Sequence, residues 1–153
     1  MFNIKYDKLN KGVLHMEELE KRVREKFFEE KEYSKEHILK FIERIADFVT
    51  VNPKTQEVNI IKSKLTNKEK VGLVVIARFL ANQLEKTISS EVTIEEVVKY
   101  TRIDEPQVRA RLSELVDENV LHRVAKGVYS VRSFPAIEKW VNNIIEKYSG
   151  EKG

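Results

Sequence analysis

Apolar positions recur every three or four residues through most of this chain and switch to every second residue in two places. In HMEELEKRVREKFFEEK, residues 15–31, Met16, Leu19, Val23 and Phe27 fall on one face of an amphipathic helix. Ser34 follows as an N-cap, because its hydroxyl can accept a bond from a free backbone N–H. The helix it opens carries Ile38, Phe41, Ile42 and Ile45 on one side. The period then changes: in DFVTVNPKTQEVNII, Val49 alternates with Val51 and Val58 with Ile60 around Asn52-Pro53-Lys54-Thr55. Period two on both sides of a Pro-containing turn predicts a β-hairpin.

Thr66-Asn67-Lys68-Glu69 has the form of a capping box, with Thr accepting from the third helical N–H and Glu reaching back. The helix expected over 67–86 is apolar on most of its circumference: Leu73, Val74, Val75, Ile76, Phe79, Leu80 and Leu84 cannot share one stripe. It is expected to lie centrally, covered by the hairpin before it and the segments after it. Thr93 opens a short helix to about Tyr100 that buries Ile94, Val97 and Val98. Asp104 caps the next, with Pro106 in the first turn where a missing N–H costs little. That helix reaches about Glu118 with Val108, Leu112, Leu115 and Val116 inward, and Asn119 stands where a left-handed C-cap is expected. Leu121 to Val131 alternates around Ala125-Lys126-Gly127, a second hairpin. Ser133 then caps a last helix with apolar residues at 134, 137, 141, 144 and 148, the spacing of a helix–helix seam.

The pattern predicts a mainly α chain with small β-hairpins, of α+β class. The parts are an N-terminal portion over 1–64, a domain over 65–132 and an amphipathic helix over 133–153. Helix and hairpin succeed one another both early and late, so 1–64 reads either as a degenerate second copy of the later unit or as a dimerisation arm. A hydrophobic content of 41% suffices for a core. The longest apolar run, GLVVIARFLA, is interrupted by Arg78 and falls short of the ~18 residues that span a bilayer. The start, MFNIKYDKLNKG, lacks the apolar stretch of a secretory signal. A cytoplasmic protein with no membrane partner is expected. Without cysteine it holds no disulfide and no thiolate metal site. Charged residues make up 35%, mostly Lys and Glu, a balance that resembles thermophile proteins. The net charge of +3 is spread over both halves, so neither is a basic nucleic-acid-binding segment on composition alone.

The order from residue 67 is helix, helix, turn, helix, two-stranded wing. With VTIEEVVKYTRIDEPQVRARLSELVDENVLHRVAKGVYSV, this stretch resembles the winged helix-turn-helix superfamily, especially small archaeal and bacterial transcription regulators. The resemblance covers about 65 residues, fewer than half of the chain's 153. It departs from the family at Thr101-Arg102-Ile103, which replaces a small Gly-containing turn, and at Asn119, where Gly is common. It implies a third helix in the major groove of duplex DNA, offering Glu105, Gln107, Arg109, Ala110, Arg111 and Ser113. Arg109 or Arg111 can present a guanidinium fork to guanine and Gln107 an amide to adenine. Lys99 and Arg102 at the preceding turn, and Arg123, Lys126 and Arg132 on the wing, are implied phosphate contacts. Flanking helices in such regulators often supply a two-fold contact, so a homodimer through Phe134, Ile137, Trp140, Val141, Ile144 and Tyr148 is expected. The plainer reading of that face is packing on residues 16–28 of the same chain.

Plainer readings also stand beside the basic residues. Arg109 and Arg111 suit a solvated helix surface, and Arg111 with Glu114 is an i,i+3 pair that adds about 0.2–0.5 kcal/mol of helix support. Glu105 at the entering end would approach phosphates unless it reads a cytosine amino group. Winged helices also serve as protein-interaction modules in larger assemblies, and the weak net charge suits that alternative. Nothing points to an enzyme, a cofactor or a metal. His15, His37 and His122 lack ligand spacing, no Gly-rich phosphate loop exists, and the clustered glutamates sit among lysines and arginines.

Overall fold

In the computed structural model the residues described are 10–27 and 33–150. The chain divides into two compact units, 1–34 and 35–153. In the first, α1 (Asn10–Phe27) is helical as its periodicity predicts. Its Leu19 and Val23 are 39% and 51% exposed.

The second unit holds α2 (Lys35–Ile45), β1 (Val49–Val51), β2 (Val58–Ile60), α3 (Asn67–Leu84), β3 (Val92–Thr93), α4 (Ile94–Thr101), α5 (Glu105–Asp117), β4 (Leu121–Ala125), β5 (Val128–Val131) and α6 (Phe134–Tyr148). The division by contacts falls at 34/35. α2 and the first hairpin bury Phe41, Ile45, Val49 and Val58 in the same core as the later elements, so 35–64 have no core of their own. β1 and β2 pair antiparallel, Val49 opposite Ile60 and Val51 opposite Val58. The other sheet has three strands in the order β3-β5-β4. Its first strand, two residues long, is too short to leave a period in the sequence and was not expected.

α3 lies at the centre, touching β1, β2, α4, α5, β5 and α6. Val71 to Ala77 are buried without a break, as a helix apolar all round requires. Its capping box forms as expected: the Thr66 hydroxyl accepts from Glu69 N–H and the Glu69 carboxylate from Thr66 N–H. Thr93 and Glu96 form a second box at α4. Asp104 and Ser133 occupy N-cap positions, yet neither side chain makes a capping bond. In both, proline (Pro106, Pro135) is the second helical residue and lacks one of the two N–H groups a cap side chain reaches. Asn119, at φ 62°, ends α5 as expected, and Val120 N–H bonds Leu115 C=O at 2.9 Å while Asn119 N–H bonds Val116 C=O at 3.0 Å. These two bonds are the Schellman pattern.

α6 departs from the dimer expectation. Ile137, Val141, Ile144 and Tyr148 are buried within their own chain against α2 and α3. The Phe134 ring meets Phe41 edge-on at 4.9 Å, and Tyr148 meets Phe48 at 6.3 Å. Trp140 lies against Gly72 on α3. The Tyr148 hydroxyl donates to Glu69 at 2.6 Å, and Lys147 reaches the other carboxylate oxygen at 3.1 Å. Burial pushes the Glu69 carboxyl up, but the bonds from Tyr148, Thr66 and Lys147 outweigh it and hold the group below its usual range. The heptad spacing marks an intramolecular seam that takes up Ile137, Val141, Ile144 and Tyr148, while Phe134 and Trp140 at its edge are half-buried. Among the described residues no helix is long and apolar enough to cross a membrane.

Candidate nucleic-acid interface

α5 buries Val108, Leu112 and Leu115 and leaves Gln107, Arg109 and Ser113 exposed. At about 100° per residue, Gln107 and Arg109 stand about 200° apart around the axis. They are therefore on opposite flanks of the helix and do not form one outward row with Arg111. The middle of the outward surface is Ala110 and Ser113, with Pro106 before and Asp117 after.

Both arginines are engaged within the helix. Arg109 Nε donates to Glu105 at 3.1 Å, an exposed i,i+4 pair. The pair explains Glu105 without a base contact, since it neutralises the neighbouring guanidinium. Arg111 is half-buried and binds Glu114 at 2.9 Å, while its buried Nε has no hydrogen-bond partner. Glu114 is shared with Lys68 of α3 at 3.6 Å, and Lys68 also pairs with Glu118. The bond to Glu118 is the main cause that holds the Lys68 ammonium above its usual range. Arg111 is thereby drawn to the α3 side, which removes it from the outward set that the resemblance implies.

On the wing, Arg123 and Lys126 are exposed, and Gly127 at φ 71° turns β4 into β5 directly after Lys126. A register shift between Arg123 and Ala125 leaves Val124 43% exposed on the same strand. Arg132 is exposed just after β5. The third group sits elsewhere. Lys99 and Arg102, at the end of α4, line a groove whose other wall is the first hairpin, together with Lys62 and Lys70. Lys99 pairs with Glu57 at 3.3 Å. Arg102 caps α4 in the left-handed region at φ 61°, a conformation that costs a side-chain-bearing residue roughly 1–2 kcal/mol. The Thr101 hydroxyl stabilises this turn by donating to Val97 C=O at 2.7 Å and accepting from Ile103 N–H at 3.2 Å.

Sequence reasoning passed over Lys62 and Lys70 because they precede the motif, and no spacing signal connects them with Lys99. The hairpin's packing on α4 makes that connection. It also passed over Arg78, noted only as a break in an apolar run, although a lone arginine in a helix apolar all round is itself a signal. Of the histidines, His37 pairs with Glu138 of α6, while His15 and His122 lie exposed on α1 and β4. Comparison with protein-family models, with curated proteins and with solved structures finds no match.

Proposed function

We propose that this chain is a winged helix-turn-helix protein that binds duplex DNA, as a transcription regulator does, through α5 and the β4–β5 wing. The observation that carries the proposal is topological. Three helices and three strands follow one another as α3-β3-α4-α5-β4-β5, the short β3 pairs with the far strand of the hairpin, and the sheet order is β3-β5-β4. This arrangement presents the outward half of α5 and a basic-tipped hairpin, which suits a helix in the major groove with a wing on the flanking backbone. Ser113, with Gln107 and Arg109 on either flank, takes the base edges. Arg123 and Lys126 take phosphates, as Lys99 and Arg102 do at the preceding turn. Arg111 supports α5 from the α3 side. The two-fold contact expected at 134–148 has no place in the proposal, because its seam is filled within one chain.

Phosphate contacts release counterions, so affinity for random duplex DNA is expected to fall steeply with salt. The log–log slope is about −0.9 for each phosphate neutralised, measured by fluorescence anisotropy from low to moderate ionic strength. Absence of binding at low salt would sink the proposal.

A second reading, a protein-interaction module, is favoured by the internal pairing of Arg109 and Arg111. The variant Arg109→Ala, which leaves the support from Arg111 intact, separates the two. Weakened DNA binding supports the first reading; unchanged DNA affinity with loss of a co-purifying protein supports the second.

A further inference from the structure

We infer that the groove between the first hairpin and the end of α4 is a second phosphate site, which takes the sugar–phosphate backbone of the duplex beside α5. The inference rests on the DNA-binding reading above and extends it to a part of the chain outside the helix-turn-helix. The groove has a volume of about 430 Å³ and is lined by Glu57 to Ser63 of the hairpin side, Lys70 of α3 and Lys99 to Arg102 of α4. Lys70, Lys99 and Arg102 meet there with the carboxylate of Glu57, and Lys62 also lines the groove. Glu57 engages Lys99, and among the described residues no carboxylate pairs with Lys70 or Arg102. The groove therefore keeps a surplus of positive charge, concentrated on a concave surface where opposing fields add.

The groove also lies where a DNA strand would pass. Arg102 is its end toward α5, two residues before Asp104 at the N-cap of that helix. A backbone strand lying along the α5 amino terminus meets Arg102 first and then the lysines beyond it. The groove is open and polar, which suits a continuous phosphodiester strand better than an enclosed small ligand. On this assignment the hairpin outside the motif is a backbone clamp, and the left-handed Arg102 is retained for its charge at a position where glycine would be more stable.

The test uses the full chain and random duplex DNA over a salt series, with two variants. Lys70→Gln is expected to weaken binding to all sequences alike and to shallow the log–log salt slope by about 0.9, the loss of one phosphate contact. Arg102→Gly is expected to raise the Tm, since glycine accepts φ 61° without strain, while the slope shallows by about 0.9. A variant that folds better and binds worse cannot owe its defect to misfolding. A steep parental slope that neither variant changes would overturn the groove assignment and leave α5 and the wing standing. No binding by the parent at low salt overturns the underlying reading, and the groove assignment falls with it.

Discussion

Arg78→Ala should lose about 3–5 kcal/mol of folding stability, the cost of leaving the partners of a buried charge unmet. Arg78 is 3% exposed, and its guanidinium binds five acceptors on three separate segments. Nε donates to Ser89 C=O at 2.9 Å; Nη1 donates to Gln56 C=O at 3.1 Å and to the Glu96 carboxylate at 2.7 Å. Nη2 reaches the Gln56 side-chain oxygen and Glu91 C=O, each at 3.3 Å. One side chain on α3 thus ties together the first hairpin, the segment before β3 and the start of α4. Gln56 adopts φ 66° within this network, and its side-chain oxygen also accepts from Ser89 N–H at 3.0 Å. Against a total stability of about 5–15 kcal/mol for a domain, the loss is large. Urea denaturation followed by circular dichroism measures it, and a midpoint within error of the parent would contradict the account. Arg78→Lys should be nearly as damaging, because three donors on a point charge cannot reproduce a planar fork.

The same network sets an acid limit. Burial pushes the Glu96 carboxyl up, but Arg78, Thr93 N–H and Tyr100 outweigh it and hold the group below its ordinary value of 4.5. A carboxyl depressed by folding contributes stability that is complete above the ordinary value and is lost as pH falls through the depressed one. Glu69 is depressed in the same direction, so both contributions fade together below about pH 4.5. In Arg78→Ala the Glu96 share of that acid sensitivity should shrink, which denaturation midpoints measured from pH 6 to pH 3 would register.

Period and cap chemistry made most of the elements legible, and what they missed has physical reasons. The central helix, the turn at Asn119 and both hairpins lie where residues 48–131 place them, because local patterns carry their own geometry. Asp104 and Ser133 show the limit of pattern: each stands at the right position, but the proline two residues on removes an N–H that a cap would use. The 134–148 spacing announced a seam without saying what covers it, since period describes only the helix that carries it. The outward residues of α5 were grouped by type, whereas 100° per residue sets Gln107 and Arg109 on opposite flanks. The Arg78 network and the basic groove join residues 11 to 42 positions apart, and such pairings exist only once the chain has folded.

Gly72 and Trp140 form a pair of this kind, and a double-mutant cycle should expose it. Gly72 lies buried within α3, and a Cβ added there would stand 2.4 Å from the tip of the Trp140 ring and 2.9 Å from the next ring carbon. Helix propensity favours almost any residue over glycine by up to about 1 kcal/mol, so a glycine here needs a packing reason, and the indole on α6 supplies one. Gly72→Val adds three carbons where one already overlaps. Its expected cost, about 3 kcal/mol, lies at the upper end of overpacking, because α3 is enclosed and only the indole or the whole of α6 can give way. Trp140 is the chain's single tryptophan, so its emission should shift to the red as the ring is expelled toward water. Trp140→Leu alone should destabilise by leaving space above Gly72. Combined with Gly72→Val, the added valine fills that space, and the pair should cost at least about 1 kcal/mol less than the sum of the two single changes. If the two costs simply add, Trp140 does not rest on Gly72 in solution. α6 is then held by its other contacts, chiefly the buried Ile137, Val141 and Ile144, the Phe134–Phe41 ring pair and the bonds of Tyr148 and Lys147 to Glu69.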